Sequence, residues 1–224
     1  MPVKAPPPPV PVAFNWTGFY LGANVGGAWF NRDVNDTLFP NLNWGRRNNG
    51  GIWGGQVGYN RQFDRFVLGI EGQFDGSANN NRGLIVNTPN ANFAITDGNR
   101  WVSTVAARFG IANDHWLFYG KLGGGWVGAK NFTITNLNNG NFVTFGVGSR
   151  SGPMGGLGVE YAFTNNWTVK AEFEYIGLGS RTFIVPANAP ILANDVFNNR
   201  NRNVEVFKVG FNYLFNTAPV VARY

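Results

Sequence analysis

The sequence predicts an all-β fold: an eight-stranded antiparallel up-and-down transmembrane β-barrel with four long external loops and three short periplasmic turns. Three observations predict it: large apolar side chains alternate with small or polar ones, connections are alternately long and short, and charged residues are few. Charged residues make up 13% of the 224 residues, against about 25% in an average soluble domain. No run of about 18 apolar residues occurs, which excludes a transmembrane helix and leaves a closed barrel as the way to cross a bilayer.

The alternation recurs in eight segments. In the last of them, Phe207, Val209 and Phe211 share one face of the predicted strand, whereas Lys208 and Gly210 share the other. A soluble ligand-binding barrel would turn the apolar face inward, and a membrane barrel would turn it toward lipid. The predicted strands are residues 18–29, 51–63, 66–75, 101–111, 116–128, 153–163, 167–177 and 203–215.

The connections between these strands are of two kinds. Segments of about twenty residues, rich in Asn and Arg, alternate with turns of about three residues, and long loops on one rim with short turns on the other are typical of an outer-membrane barrel. The long segments are residues 31–49, 77–100, 129–152 and 180–202, and the turns are residues 64–65, 113–115 and 164–166.

Two short segments flank the barrel domain, which we assign to residues 14–215. Residues 1–13 form a Pro-rich periplasmic segment, either a polyproline II spacer or a docking site for an aromatic-lined groove. It has no apolar signal-peptide region, so we expect Met1 to stand in place of a removed secretion signal. Residues 216–224 form a C-terminal tail.

The inner face of the predicted barrel is the small and polar one. Eight strands enclose a space only just wide enough to be filled by side chains, which favours glycine and polar residues over aromatic rings. Charges of both signs lie on this face, and buried charges need partners. We therefore predict a polar network in the lumen formed by Glu71, Gln73, Arg108, Lys121, Glu160, Lys170, Glu172, Glu174 and Lys208. The alternative is the solvated face of a soluble sheet.

Aromatic residues cluster near both ends of the strands, as they do at membrane interfaces. Trp29, Trp53, Trp101 and Trp126 lie toward the long loops, and Phe63, Trp116, Trp167 and Phe215 lie toward the short turns. We predict that they form two aromatic belts.

The residues offer little for catalysis or metal binding. The chain has no cysteine, which excludes disulfides, thiolate metal sites and Cys nucleophiles. Its single histidine, His115, falls in a short turn, where a solvated side chain is a simpler interpretation than a catalytic triad. Glu172 and Glu174 face the same way, but a filled lumen would give a substrate no access to them. We expect no enzymatic activity, no metal and no other cofactor.

The segment FNWTGFYLGANVGGAW, residues 14–29, resembles the opening of the small outer-membrane β-barrels of alphaproteobacteria, the outer membrane immunogenic protein family of OmpA-like transmembrane barrels. The strand plan extends the likeness to Phe215. The resemblance implies an abundant, surface-exposed, non-enzymatic protein of the cell outer membrane. It also implies recognition by the barrel-assembly machinery, because Lys208, Gly210, Tyr213 and Phe215 match the terminal assembly signal of such barrels, although residues 216–224 follow it here.

Arginines dominate the predicted external loops. Arginine pairs bidentately with phosphate, so we predict that Arg46, Arg47, Arg200 and Arg202 contact lipopolysaccharide; the alternative is that they are simply solvated. The predicted partners are outer-membrane lipids and lipopolysaccharide, the barrel-assembly machinery and other copies of the chain, with no nucleic acid. The sequence favours a structural protein of the cell envelope, with a narrow porin or small-solute channel as the alternative.

Overall fold

The structure is a computed structural model that describes residues 14–36, 44–79, 84–87, 92–96, 99–129, 131–146, 148–179, 181–184, 187 and 196–215. Every regular element in these ranges is a β-strand. They contain no helix long and apolar enough to cross a membrane. The predictions for residues 1–13 and 216–224 lie outside the described residues.

Eight long strands form the barrel. They are β1 (Gly18–Asp36), β2 (Trp44–Phe63), β3 (Phe66–Asn79), β6 (Asn99–Asn113), β7 (Trp116–Ala129), β10 (Ser149–Ala162), β11 (Trp167–Leu178) and β13 (Val196–Phe215). Each pairs antiparallel with the next, and β1 pairs with both β2 and β13, which closes the sheet. The predicted closed, antiparallel, eight-stranded barrel is therefore confirmed.

Side chains alternate between the lumen and the outer surface of this barrel. Along β11 the lumen-facing positions are buried while the intervening ones are half-buried or exposed. The outer surface is apolar, because its exposed side chains include Phe19, Val57, Phe74, Leu122 and Leu157. The apolar face therefore points outward.

The short turns lie where the sequence predicted them. Asp64 and Asp114 each begin a two-residue turn with a positive φ, 55° and 53° respectively, a conformation that Asp tolerates better than most residues. The carbonyl oxygen of Arg65 accepts a hydrogen bond from the Ala112 amide at 2.7 Å. This bond ties the first turn to the adjacent hairpin.

The opposite end, which we call the long-loop end, is more regular than the sequence indicated. β1, β2 and β13 continue into the segments predicted as long loops. A second antiparallel sheet contains β4 (Leu84–Asn87), β5 (Asn92–Thr96), β8 (Phe132–Asn136) and β9 (Phe142–Phe145), and β12 (Arg181–Ile184) pairs with β13. Asn is a poor strand former, but pairing with an ordered neighbouring strand overrides that weak local preference. The predicted strand ends at residues 29, 51 and 203 therefore fall short of the observed ones, Asp36, Trp44 and Val196.

Two buried apolar clusters occupy the two ends of the lumen. The cluster toward the long-loop end includes Phe30, Ile52, Val127 and Ile176. The cluster at the short-turn end includes Trp16, whose exposed fraction is 0%, together with Leu117 and Leu214. The polar interior of the barrel therefore lies between two apolar layers.

Candidate functional site

The lumen is the candidate site because its polar side chains form a connected network between these layers. The inward positions of β3, β6, β7, β10, β11 and β13 carry all nine residues of the predicted network, and all nine are buried: Glu71, Gln73, Arg108, Lys121, Glu160, Lys170, Glu172, Glu174 and Lys208. The two-residue period of the strands brings them together from distant parts of the sequence.

Glu71 of β3 lies at the centre of the network. Its Oε1 accepts a hydrogen bond from Lys121 Nζ at 2.7 Å, and its Oε2 accepts one from Lys170 Nζ at 3.0 Å. Arg108 Nη1 lies 3.5 Å from the same Oε2. Three cations therefore surround a carboxylate that is shielded from water, which offsets the cost of removing its hydration.

Two further carboxylates lie two residues apart on β11. Glu172 lies 2.9 Å from Lys170 Nζ and 3.2 Å from Lys121 Nζ. Glu174 accepts a hydrogen bond from Lys121 Nζ at 2.6 Å and lies 2.9 Å from Lys208 Nζ. Both carboxylates are engaged by buried ammonium groups, an arrangement suited to ion pairing rather than to proton exchange with a substrate.

Arg108 connects this centre to the short-turn side of the lumen. Its Nη1 donates to the hydroxyl oxygen of Tyr20 at 2.7 Å, and that hydroxyl donates to Glu71 Oε2 at 2.8 Å. Its Nη2 donates to Glu160 Oε2 at 2.7 Å. The guanidinium carbon lies 3.9 Å from the centre of the Tyr119 ring, so the cation also stacks on an aromatic face.

A chain of amide side chains extends the network along β1, β2 and β13. Asn24 Nδ2 donates to Gln56 Oε1 at 2.8 Å, and Gln56 Nε2 donates to Asn212 Oδ1 at 2.8 Å. Asn212 Nδ2 in turn donates to Glu160 Oε1 at 2.7 Å. Polar contacts thus run around much of the barrel circumference.

Sequence reasoning missed several members of the network, including Tyr20, Tyr119 and Asp75. Lys208 Nζ donates to Asp75 Oδ2 at 3.1 Å and also to Gln73 Oε1. The alternation along each predicted strand places all three residues on the inner face. The sequence does not point to the two tyrosines, because a narrow lumen favours side chains smaller than aromatic rings.

Glycines at the paired positions of adjacent strands make room for the two tyrosines. A Cβ at Gly58 would lie 2.3 Å from the Tyr20 hydroxyl oxygen, and one at Gly158 would lie 2.4 Å from Tyr119 Cζ. Contacts this short do not occur between real atoms, so both positions require glycine as long as the tyrosine stays in place. Each buried ring therefore lies over a glycine of a nearby strand.

The mouth at the short-turn end is crossed by the residues just before β1. The Trp16 amide donates to Gln62 Oε1 at 2.8 Å, and the Phe14 amide donates to Asp114 Oδ1 at 3.2 Å. His115 Nδ1 lies 2.6 Å from Asp114 Oδ2. The hydrogen bond with His115, and after it the one from Phe14, lowers the pKa of the Asp114 carboxyl below its ordinary value.

Of the residues predicted to form aromatic belts, Trp29 and Trp53 lie well inside β1 and β2, because these strands extend past their predicted ends, whereas the other six lie near strand ends. Trp29 and Trp101 are half-buried, whereas Trp53, Trp126, Phe63, Trp116, Trp167 and Phe215 are exposed on the outer surface. Trp101 stacks on Phe74 with 5.7 Å between ring centres, and Trp167 meets Tyr213 edge-on at 5.2 Å.

The remaining predicted site residues are dispersed. Of the assembly-signal residues, Lys208 and Gly210 are buried, whereas Tyr213 and Phe215 are exposed. For the four arginines only the backbone is described: Arg46 pairs with Arg32, Arg47 with Asn31, Arg200 with Asp33 and Arg202 with Leu178. Within the described ranges, no cluster of three or more His, Asp or Glu side chains could hold a metal ion.

Comparisons with known proteins agree with this architecture. A family model described as an outer membrane protein beta-barrel domain matches residues 6–215. The 31 kDa outer-membrane immunogenic proteins of Brucella melitensis biotype 1 and Brucella suis biovar 1 are each 32% identical to the chain over 221 residues, covering 90% of this chain and 85% of the relative.

The solved structure of the outer membrane protein OprG from Pseudomonas aeruginosa has a similar fold. Its TM-score is 0.56 at 11% identity, covering 91% of this chain and 99% of OprG. The family and the Brucella relatives place the protein in the outer membrane. The chain belongs to the outer membrane protein β-barrel family.

Proposed function

We propose that the protein is a non-conducting, non-enzymatic structural component of the outer membrane, anchored by the barrel and exposing its long-loop end to the exterior. The observation that carries this proposal is the filled lumen. Arg108, Lys121, Lys170 and Lys208 are each at most 2% exposed and pair with buried carboxylates. Such a lumen supports an anchor better than a conduit.

The alternative of a narrow porin would require a continuous polar path through the barrel. A solute would have to pass the apolar layer containing Ile52 and Ile176, break the ion pairs around Glu71, and pass Trp16. Each buried ion pair opened in this way leaves an uncompensated charge, at a cost of about 3–5 kcal/mol. Diffusion along this path is therefore opposed at three levels.

Single-channel recording in planar bilayers tests the proposal. The native protein should produce no stable conductance steps. A variant with Ile52→Gly, Ile176→Gly and Trp16→Gly removes bulk from both apolar layers, and a variant with Phe74→Ala, Phe118→Ala and Leu157→Ala on the outer surface is the control. Stable steps from the native protein would favour the porin.

The same proposal excludes catalysis as the protein's role. His115 pairs with Asp114 in a turn at the mouth, and Glu172 and Glu174 are held by lysines. Purified barrel should therefore not hydrolyse lipid or peptide substrates above the rate of a His115→Gln variant. Turnover that this substitution abolished would contradict the proposal.

The external arginines provide a contact for the phosphates of lipopolysaccharide. Arg46 and Arg47 lie on β2, and Arg200 and Arg202 lie on β13, so the four positions lie on the two strands that flank β1. Replacing all four by Gln should reduce lipid A co-purification. The control replaces the neighbouring Asn48, Asn49, Asn198 and Asn199 by Gln, and equal loss in both variants would remove the proposed contact.

The last barrel strand is the proposed recognition element for the barrel-assembly machinery. Tyr213 and Phe215 are exposed on β13, the strand that must pair with β1 to close the barrel. Phe215→Ala should slow insertion into vesicles containing the machinery, whereas Phe74→Ala should not. Equal insertion rates would argue against a terminal signal.

A further inference from the structure

An apolar groove runs along the outer surface between β3 and β10. Its section near the short-turn end is about 640 Å³ in volume, and its lining includes Phe66, Ile111 and Phe118. A second section of about 510 Å³ continues toward the middle of the wall, and the two share Phe109, Gly120 and Leu157. The groove therefore extends from the edge of the barrel into its membrane-facing wall.

Strand register explains why the wall has a groove at this position. Across one row of the sheet, Gly120 lies between Phe109 of β6 and Leu157 of β10. In the next row, Gly155 lies between Leu122 and Tyr175. Bulky apolar side chains thus stand on both sides of positions that have none.

The barrel itself does not require these two glycines. A Cβ at Gly120 would meet its nearest atoms at 3.9 Å, and one at Gly155 would meet its nearest atom at 3.7 Å, both ordinary contacts. This differs from Gly58 and Gly158, where a Cβ would collide with a buried tyrosine. Glycine weakens a strand, so its presence at Gly120 and Gly155 keeps the groove open at a small cost in stability.

Two arginines lie at the end of the wall where the groove begins. The guanidinium carbon of Arg65 lies 5.4 Å from the ring centre of Phe66, which lines the groove, and that of Arg61 lies 5.2 Å from the ring centre of Phe63. Both side chains are exposed, and neither forms an ion pair with a described residue. Two cations are therefore available beside an apolar groove at the periplasmic rim.

We infer that this groove binds an anionic glycerophospholipid of the periplasmic leaflet. One acyl chain lies along Phe66, Gly120 and Gly155, and the phosphate contacts Arg65 and Arg61. The bilayer makes hydrocarbon chains the available occupant of a membrane-facing groove, and the two guanidinium groups select a negatively charged head group. The inference depends on the outer-membrane location and not on the proposed absence of conductance.

Lipid retention tests the inference directly. The protein is reconstituted into nanodiscs of phosphatidylcholine with a minor fraction of phosphatidylglycerol, and lipids that remain bound after release are counted by native mass spectrometry. The variants are Gly120→Leu, which fills the groove, and Arg61→Gln with Arg65→Gln. Gly72→Leu is the control, because Gly72 is also on the outer surface and a Cβ there would meet no atom within 4 Å.

The native protein and Gly72→Leu should retain phosphatidylglycerol in preference to phosphatidylcholine. The groove variant and the arginine variant should each retain about tenfold less, the change that corresponds to about 1.4 kcal/mol. Heat-modifiable migration on gels confirms that each variant is folded. Equal retention of the two lipids by the native protein, or native-like retention by either variant, overturns the inference.

Discussion

At the scale of single residues, the lumen is organised by pairs of one large and one very small side chain. Tyr20 lies over Gly58 and Tyr119 over Gly158, and Asp75 Oδ1 would lie 2.3 Å from a Cβ at Gly54. The inward direction of these side chains could be predicted from the alternation along each strand alone. The pairing could not, because it depends on which strands are neighbours and on their register.

Gly58→Ala should lower the thermal stability of the barrel. The added methyl group would collide with the Tyr20 hydroxyl, which joins Arg108 to Glu71, and overpacking of this kind costs about 1–3 kcal/mol. The matched control is Gly72→Ala on the adjacent strand, where the methyl group meets nothing within 4 Å and should be neutral or slightly stabilising. Heat-modifiable gel migration measures both, and equal midpoints would contradict the packing described here.

Lys208→Leu should also lower thermal stability. The substitution removes the ammonium group that lies 2.9 Å from Glu174 and 3.1 Å from Asp75. Glu174 keeps its contact with Lys121, but the buried Asp75 is left without an ion pair to any described residue, at a cost of about 3–5 kcal/mol. Val209→Leu, on the outer face of the same strand, should change the midpoint little. A Lys208→Leu barrel as stable as this control would show that the lumen is hydrated rather than ion-paired.

At the scale of the element, the two-residue alternation was enough to locate all eight barrel strands. It works because each strand turns its large apolar side chains to the outer surface and its small, polar or charged side chains to the lumen through the middle of the barrel. It fails at the long-loop end, where β1 and β2 continue through residues such as Asn31 and Asn48. There the pairing of backbone groups, rather than side-chain pattern, maintains the strand.

The turn at Asp64 should tolerate glycine but not a β-branched residue. Its φ of 55° is accessible to Gly and Asp, whereas L residues pay about 1–2 kcal/mol in this region and Val is among the least suited. Asp64→Gly should therefore refold into vesicles at least as well as the native protein, and Asp64→Val should refold less completely. Equal refolding yields would indicate a different turn conformation.

The contact between the N-terminal segment and the turn at Asp114 should weaken in acid. Because the pKa of the Asp114 carboxyl is lowered in the folded protein, the contact stabilises the mouth fully at pH values above the ordinary carboxyl pKa, near about 4. This stabilisation is lost as the pH falls below the ordinary pKa and through the lowered one. Hydrogen exchange at the Phe14 amide should accelerate in that range. In the Asp114→Asn variant, hydrogen exchange at the Phe14 amide should follow only the pH dependence of an unprotected amide. An acceleration in acid like that of the native protein would show that another group causes it.

At the scale of the whole molecule, the barrel is filled in three layers, two apolar and one charged. The sequence indicated the charged layer, since the nine predicted residues all face inward and are buried. It did not indicate the apolar layers, because Ile52, Ile176 and Trp16 are apolar residues that a uniform polar-inside pattern would not place in the lumen. Ile52 and Ile176 share the inward alternation of their strands, but which residues meet to form each layer follows only from barrel closure and register.

The central claim is that buried side chains in direct ion pairs fill the lumen, and solid-state NMR of the protein in lipid bilayers tests it most directly. Lys121, Lys170 and Lys208 should each show a through-space cross-peak between the ammonium nitrogen and a carboxyl carbon, as their 2.6–2.9 Å contacts require. These ammonium signals should exchange slowly with bulk water. Lysine ammonium groups that exchange rapidly and show no carboxyl contacts would contradict the account.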